Sequence, residues 1–161
     1  MNQVYFLIGG NIGNRLANLE MALKLIEQEC GAISQTSAIY ETAPWGKKDQ
    51  PYFLNQALIA FTILSPPNLL ENVLAIEKQM GRYRVEKFGS RIIDMDILFY
   101  NDEVIRTGQL TVPHPEMQNR RFVLEPLAEI APQKIHPILE KSVKKLLDEC
   151  PDTLSVKKYR W

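Results

Sequence analysis

The feature that most constrains this chain is the order in which its hydrophobic period changes. Val4 to Ile8 is a short apolar run ending at Gly9-Gly10-Asn11, as a strand does where it enters a tight turn. From Arg15 to Glu29, Leu16, Leu19, Ala22, Leu23 and Ile26 recur at helical spacing, and Gly31 stops that helix. Ile33 to Tyr40 and Phe53 to Leu64 are β-rich, separated by a loop from Glu41 to Tyr52 that holds Pro44, Gly46 and Pro51. Ser65-Pro66-Pro67 opens a second helix, with Leu69, Leu70, Val73, Leu74 and Ile76 on its apolar side and an end near Gly81. A basic, poorly periodic loop follows, and Ile92 to Tyr100 then reads as a strand closed by Asn101-Asp102. Strand, helix, strand, strand, helix, strand is the split βαβ, or ferredoxin-like, order. It predicts an α+β fold in which an antiparallel sheet carries both helices on one face. The last third forms a C-terminal extension: an extended Leu110 to Val112, a Pro-rich turn, an apolar segment Phe122 to Ile130, and a helix from Lys141 to about Cys150.

A chain of 161 residues has room for one domain, so residues 1–161 are expected to fold as a single unit. Nineteen basic residues balance nineteen acidic ones, which removes any bulk attraction to nucleic acid or an anionic membrane and requires any anion site to be local. No apolar run approaches a membrane span, and the N-terminus lacks the marks of a secretory signal. Cys30 and Cys150 stand in no metal-binding spacing and read as reduced thiols of a cytoplasmic protein.

Chemistry concentrates in Gly89-Ser90-Arg91-Ile92-Ile93-Asp94-Met95-Asp96-Ile97. On a strand, Asp94 and Asp96 share a face roughly 7 Å apart, while Ile93, Met95 and Ile97 supply the apolar face. Two carboxylates on one face repel unless a cation compensates, and hard oxygen ligands without His or Cys suit Mg²⁺. A solvated strand face, with Arg91 as ion-pair partner, accounts for the same pattern. Gly81-Arg82-Tyr83-Arg84-Val85-Glu86-Lys87 adds cations between two glycines, as expected of a loop that closes over an anionic substrate; an ordinary solvated loop would look alike. Thr111-Val112-Pro113-His114-Pro115 holds a His between two prolines, with Asn119-Arg120-Arg121-Phe122 beyond. A zinc site is excluded, since His136 is the one other His and lacks companions. Trp45, Tyr52, Phe53 and Asn55 offer aromatic walls and an amide suited to a flat heterocycle, or they are simply core. Gly9-Gly10-Asn11-Ile12-Gly13 is neither a P-loop nor a full dinucleotide fingerprint.

Taken together these segments resemble one family. Gly9-x-Asn11, Glu41-Thr42-x-Pro44-x-Gly46, Gln50-Pro51-x-x-Leu54-Asn55, Glu77 before Gly81-Arg82, Arg91-x-x-Asp94-x-Asp96, and Val112-Pro113-His114-Pro115 with Arg120-x-Phe122 are similar to the 6-hydroxymethyl-7,8-dihydropterin pyrophosphokinases. The resemblance runs from about residue 3 to 130. It implies transfer of pyrophosphate from ATP to the hydroxymethyl group of the pterin, giving AMP, in folate biosynthesis. It implies two Mg²⁺ ions on Asp94 and Asp96, with Arg82 and Arg91 stabilising the transferring group. The pterin would lie between Phe53 and Phe122, read by Asn55 and the backbone around Thr42, Ala43 and Trp45. ATP would contact Glu77, Arg84, Ile97, Thr111, His114 and Arg120. Family precedent is a monomer. Gly10 stands where Ser is common, and Leu74 and Gln109 stand where some members carry polar or basic ATP contacts. The rival reading is a ferredoxin-like module that binds RNA or a small molecule without catalysis.

Overall fold

The structure is a computed structural model that describes residues 1–81 and 89–160. Within them the chain order is β1 (Asn2–Gly10), α1 (Arg15–Glu29), β2 (Ala32–Thr36), β3 (Tyr40–Thr42), β4 (Phe53–Thr62), α2 (Pro66–Gln79) and β5 (Asp94–Tyr100). There follow β6 (Ile105–Arg106), β7 (Thr111–Val112), α3 (Arg121–Ile130), α4 (Val143–Asp148) and β8 (Val156–Lys158). Among the described residues a six-stranded antiparallel sheet runs β5–β1–β4–β3–β8, with β2 also paired to β4. The α+β, ferredoxin-like expectation is met.

Local chemistry starts both core helices. Asn14 Oδ1 accepts the Ala17 N–H at 3.0 Å at the start of α1, and Ser65, followed by two prolines, caps α2. α1 and α2 lie on one face of the sheet. Val4, Phe6 and Ile8 of β1, Leu58 and Ala60 of β4, and Met95 and Ile97 of β5 pack there with Leu19, Ile26, Leu69, Val73 and Ile76. The C-terminal extension covers the opposite face, where Tyr5, Leu7, Ala57, Ile59 and Phe99 meet Val123, Leu124 and Leu127 of α3 and Val143 and Leu146 of α4. Covering both faces explains why β1 and β4 read as continuous apolar runs rather than alternating ones.

Two irregularities shape the region around the acidic strand. The register of β1 on β5 shifts so that Tyr5 faces Phe99 while Phe6 faces Ile97. This bulge sends both Leu98 and Phe99 into the second core and leaves Asp94 and Asp96 on that same face, beside Gly9 and Leu7. At the end of β1 the backbone is approached too closely for a side chain: a Cβ on Gly9 would sit 1.9 Å from Asn55 Oδ1, and one on Gly10 would sit 2.0 Å from the Ile92 carbonyl oxygen. The contact with Ile92 explains a glycine at position 10 in this chain.

Several expected elements differ in detail. The strand expected over Ile33 to Tyr40 is broken, because Ser37 exchanges hydrogen bonds with Ala57 through its backbone N–H and its Oγ, and Ala38 N–H turns to Glu129. The loop expected from Glu41 therefore begins only after Thr42. Phe122 to Ile130 is helical despite Pro126, and the last helix is shorter than expected. β8 has no counterpart in the sequence pattern. Leu70 packs half-buried against the first core, but Leu74, expected on the apolar side of α2, is 53% exposed.

Candidate active site

Two clefts open on the sheet and share Asp94 and Asp96 as common wall. The first lies where β1 ends and α3 begins. Leu7 and Gly9 lie at its base, Thr42 ends β3 with Ala43 and Trp45 beyond it, Phe53 and Asn55 start β4, and Arg91, Arg120 and Phe122 complete it. The second lies between α2 and the segment around β7. It is lined by Leu70, Leu74 and Glu77, by Met95 and Ile97, and by Gln109, Leu110, Thr111, His114 and Pro115.

The first cleft is rigidly built. Asn55 is buried, and its Nδ2 donates to Thr42 Oγ1 at 2.9 Å, so the amide is oriented by a neighbour across the sheet. The Arg120 guanidinium lies 4.5 Å from the Trp45 ring centre and 6.0 Å from that of Phe122, placing a cation between two aromatic faces. Tyr52, an aromatic candidate in the sequence, is 47% exposed and lies outside both clefts.

Asn11, buried at the end of β1, ties this cleft to the acidic strand. Its Nδ2 donates to Gln50 Oε1 at 3.0 Å and to the Pro51 carbonyl at 2.8 Å, and its Oδ1 accepts the Arg91 N–H at 2.9 Å. The Asn11 N–H returns to the Arg91 carbonyl at 2.9 Å. The sequence motif includes Asn11 without giving it a task; the signal is its place beside two glycines that admit no side chain.

Charge is concentrated at the junction. Arg91 Nη1 lies 2.8 Å from Asp94 Oδ2, the ion pair that a solvated strand face would also show, yet these carboxylates line clefts rather than an open surface. Burial, then the Asp94 charge and that of Glu77, pushes the Asp96 carboxyl up to about 8, against the pull of Arg120 and Arg91. Glu77 is buried on α2, and its Oε2 accepts the Met95 N–H at 2.7 Å, fixing the backbone between the two aspartates. His114 is lowered to about 4 by burial and by Arg120. Its Nδ1 accepts the Glu116 N–H at 3.2 Å, so the neutral ring keeps Nε2–H as donor. Burial also lowers Arg120, with Asp96, Glu116 and Asp94 opposing.

The structure therefore brings Thr42, Ala43, Trp45, Phe53, Asn55, Phe122 and Arg91 into one cleft, and Glu77, Ile97, Thr111 and His114 into the other. Arg120, expected among the second group, lines the first cleft at the junction. Arg82 and Arg84 lie outside the described residues. Among the described residues no three His, Cys, Asp or Glu side chains converge on a metal position, so a cation at Asp94 and Asp96 needs ligands beyond such a cluster.

Comparison with known proteins gives a consistent result. The model of the 7,8-dihydro-6-hydroxymethylpterin-pyrophosphokinase family matches residues 5–132. The 2-amino-4-hydroxy-6-hydroxymethyldihydropteridine pyrophosphokinase of Aquifex aeolicus is 44% identical over 149 residues, 92% of each chain. The folic acid synthesis protein FOL1 of Dictyostelium discoideum is 39% identical over 94% of this chain, which spans 23% of that protein. The structure of wild-type Plasmodium falciparum HPPK-DHPS with pteroate aligns with a TM-score of 0.78 at 20% identity, over 92% of this chain and 44% of that one.

Proposed function

Because the chain belongs to the 7,8-dihydro-6-hydroxymethylpterin-pyrophosphokinase family, we propose that the clefts meeting at Asp94 and Asp96 are the sites of its two substrates. The chain transfers a pyrophosphoryl group from ATP to the hydroxymethyl group of 6-hydroxymethyl-7,8-dihydropterin, a step of folate biosynthesis. The new bond joins the pterin oxygen to the β-phosphorus, the hydroxyl proton passes to water, the bond from that phosphorus to the α-phosphate oxygen breaks, and AMP leaves with its electron pair.

The observation that carries the site assignment is the shared wall of carboxylates. The pterin lies in the first cleft between Phe53 and Phe122, its polar edge read by Asn55 and the backbone of Thr42, Ala43 and Trp45. ATP lies in the second, with the adenine end toward Leu70, Leu74 and Ile97, and with Thr111 and the His114 Nε2–H toward phosphate. Arg91 and Arg120 line the first cleft beside the two carboxylates, where charge develops on the transferring group; Arg82 shares that role, and Arg84 contacts ATP. Asp94 and Asp96 suit two Mg²⁺ ions: their donors are hard oxygens, they open to both clefts, and phosphate oxygens and water would complete the ligand shells. Such ions would neutralise polyphosphate charge and would make the bound alcohol more acidic. Before they bind, Arg91 holds Asp94 in place and Glu77 holds the strand that presents both acids.

The proposal extends to one domain over residues 1–161, acting as a monomer in the cytoplasm, in keeping with the balanced charge and two free thiols. No helix among the described residues is long and apolar enough to cross a membrane. The test is the nucleotide product. ATP, Mg²⁺ and the pterin alcohol should give AMP in equal amount to pterin diphosphate, and ADP would overturn the reaction. Phe122→Ala should raise KM for the pterin at least tenfold, and an unchanged value would remove that cleft from the pterin.

A further inference from the structure

The last described stretch of chain touches both walls of the first cleft, although it lies beyond the residues matched by the family model. Asp152 Oδ2 accepts the Arg121 N–H at 3.0 Å, and the Asp152 carbonyl accepts Arg121 Nε at 2.9 Å. Arg121 is the first residue of α3, and Arg120, at the N-cap, makes no side-chain cap of its own. Asp152 thus supplies from a distance the acceptor and negative charge that a helix start requires. It holds the turn from which Arg120 and Phe122 enter the cleft. The same carboxylate also accepts the Leu154 N–H through Oδ1 at 2.9 Å, fixing the direction in which the chain continues.

Three residues after Asp152 the chain reaches the other wall. The Ser155 carbonyl accepts the Ala43 N–H at 2.9 Å, β8 pairs with β3 from Thr42–Val156 to Tyr40–Lys158, and the Tyr159 N–H reaches the Ile39 carbonyl at 2.8 Å. The Arg15 guanidinium sits 5.5 Å from the Tyr159 ring centre while its Nη1 bonds Glu41 Oε2 and the Tyr52 carbonyl. Thr42 and Ala43, whose backbone lines the cleft, are therefore held by the tail from outside.

We propose that Asp152 to Tyr159 is a strap that sets the spacing of the two cleft walls, with Asp152 as a positioning residue for the pterin. The inference rests on the assignment of this cleft to the pterin. The bonds of Asp152, Ser155 and β8 end on the two walls of the first cleft, so the effect of the strap is selective for one substrate.

The test is a KM-against-kcat split in the full chain. Asp152→Ala should raise KM for the pterin alcohol about tenfold, leave KM for ATP within twofold and change kcat by less than threefold. Asp152→Asn keeps an oxygen acceptor at the helix start and should return KM for the pterin to within about threefold of wild type. Should Asp152→Ala not fold, Lys157→Pro tests the other end. Hydrogen-bonded pairs recur every second residue between Ala43–Ser155 and Ile39–Tyr159, so the pair Glu41–Lys157 lies in the ladder and a proline there removes a donor. It should show the same selective rise. An unchanged KM for the pterin, or equal loss for both substrates, would overturn the strap. If Phe122→Ala also leaves KM for the pterin unchanged, the cleft assignment has failed; if Phe122→Ala raises it and neither tail variant does, the strap alone has.

Discussion

Replacing Asp96 by Asn should make the cation-free protein more stable while abolishing its activity. In the cation-free fold the Asp96 carboxyl rises from an ordinary 3.8 to about 8, chiefly through burial and the neighbouring Asp94 charge. A group whose folded value is raised stabilises the fold fully below its unfolded value and loses that contribution as pH climbs through the folded one. The loss therefore runs from about pH 4 to about pH 8. At 1.36 kcal/mol for each tenfold change in proton affinity, the full displacement sets a ceiling of about 6 kcal/mol. Asp96 meets water through two clefts and lies near Arg91 and Arg120, which relieve part of the charge, so about 1–2 kcal/mol is the expected gain on neutralising it. For a chain of this length that corresponds to a melting point about 2–8 °C higher at pH 8. The assay is thermal melting in EDTA at pH 5 and pH 8, repeated with Mg²⁺ and a non-hydrolysable ATP analogue. Asp96→Asn should melt above wild type at pH 8, by a much smaller margin at pH 5, and should gain far less from Mg²⁺ and nucleotide. Turnover should fall by about three orders of magnitude or more, by loss of charge compensation for the transferring group. A variant that melts below wild type at pH 8 in EDTA, or whose margin is the same at both pH values, would mean that the Asp96 charge does not burden the cation-free fold.

Asn11→Ala removes bonds to Gln50, Pro51 and Arg91 at once, and should cost about 1–3 kcal/mol in urea unfolding together with at least a tenfold drop in kcat; a stable variant of normal rate would show that this link is dispensable. His114, lowered to about 4, is a group whose unfolded form takes up a proton first as pH falls. Wild type should therefore lose about 1–2 kcal/mol between pH 7 and pH 5 that His114→Gln does not lose, read as a difference in urea midpoints.

Legibility in the sequence depends on the range of the interactions involved. The βαββαβ order is visible because α1 and α2 carry helical spacing with caps, and because β1, β4 and β5 are long apolar runs. β2 and β3 cannot be separated from sequence, since the break depends on Ser37 meeting Ala57 twenty residues away. β8 is three residues, two of them lysines, and is a strand only because β3 offers it an edge. α3 shows no clear type in the sequence because Pro126 interrupts its pattern. At the site, Asp94 and Asp96 are readable as a same-face pair, but period alone does not distinguish a solvated face from a cleft wall. That distinction comes from Arg120, Phe122 and His114, which chain folding brings to the same two clefts from later in the sequence. The tasks of Asn11, Glu77 and Asp152 are hydrogen bonds to distant backbone, and no spacing rule announces those.

We propose that Asp94 and Asp96 bind the cations between the two substrates. Mn²⁺ titration followed by electron paramagnetic resonance, with a non-hydrolysable ATP analogue and 6-hydroxymethylpterin present, tests it most directly. Wild type should bind two Mn²⁺ per chain in this complex, and Asp94→Ala or Asp96→Ala should lose at least one of them. Two ions bound equally well by both variants would contradict the claim.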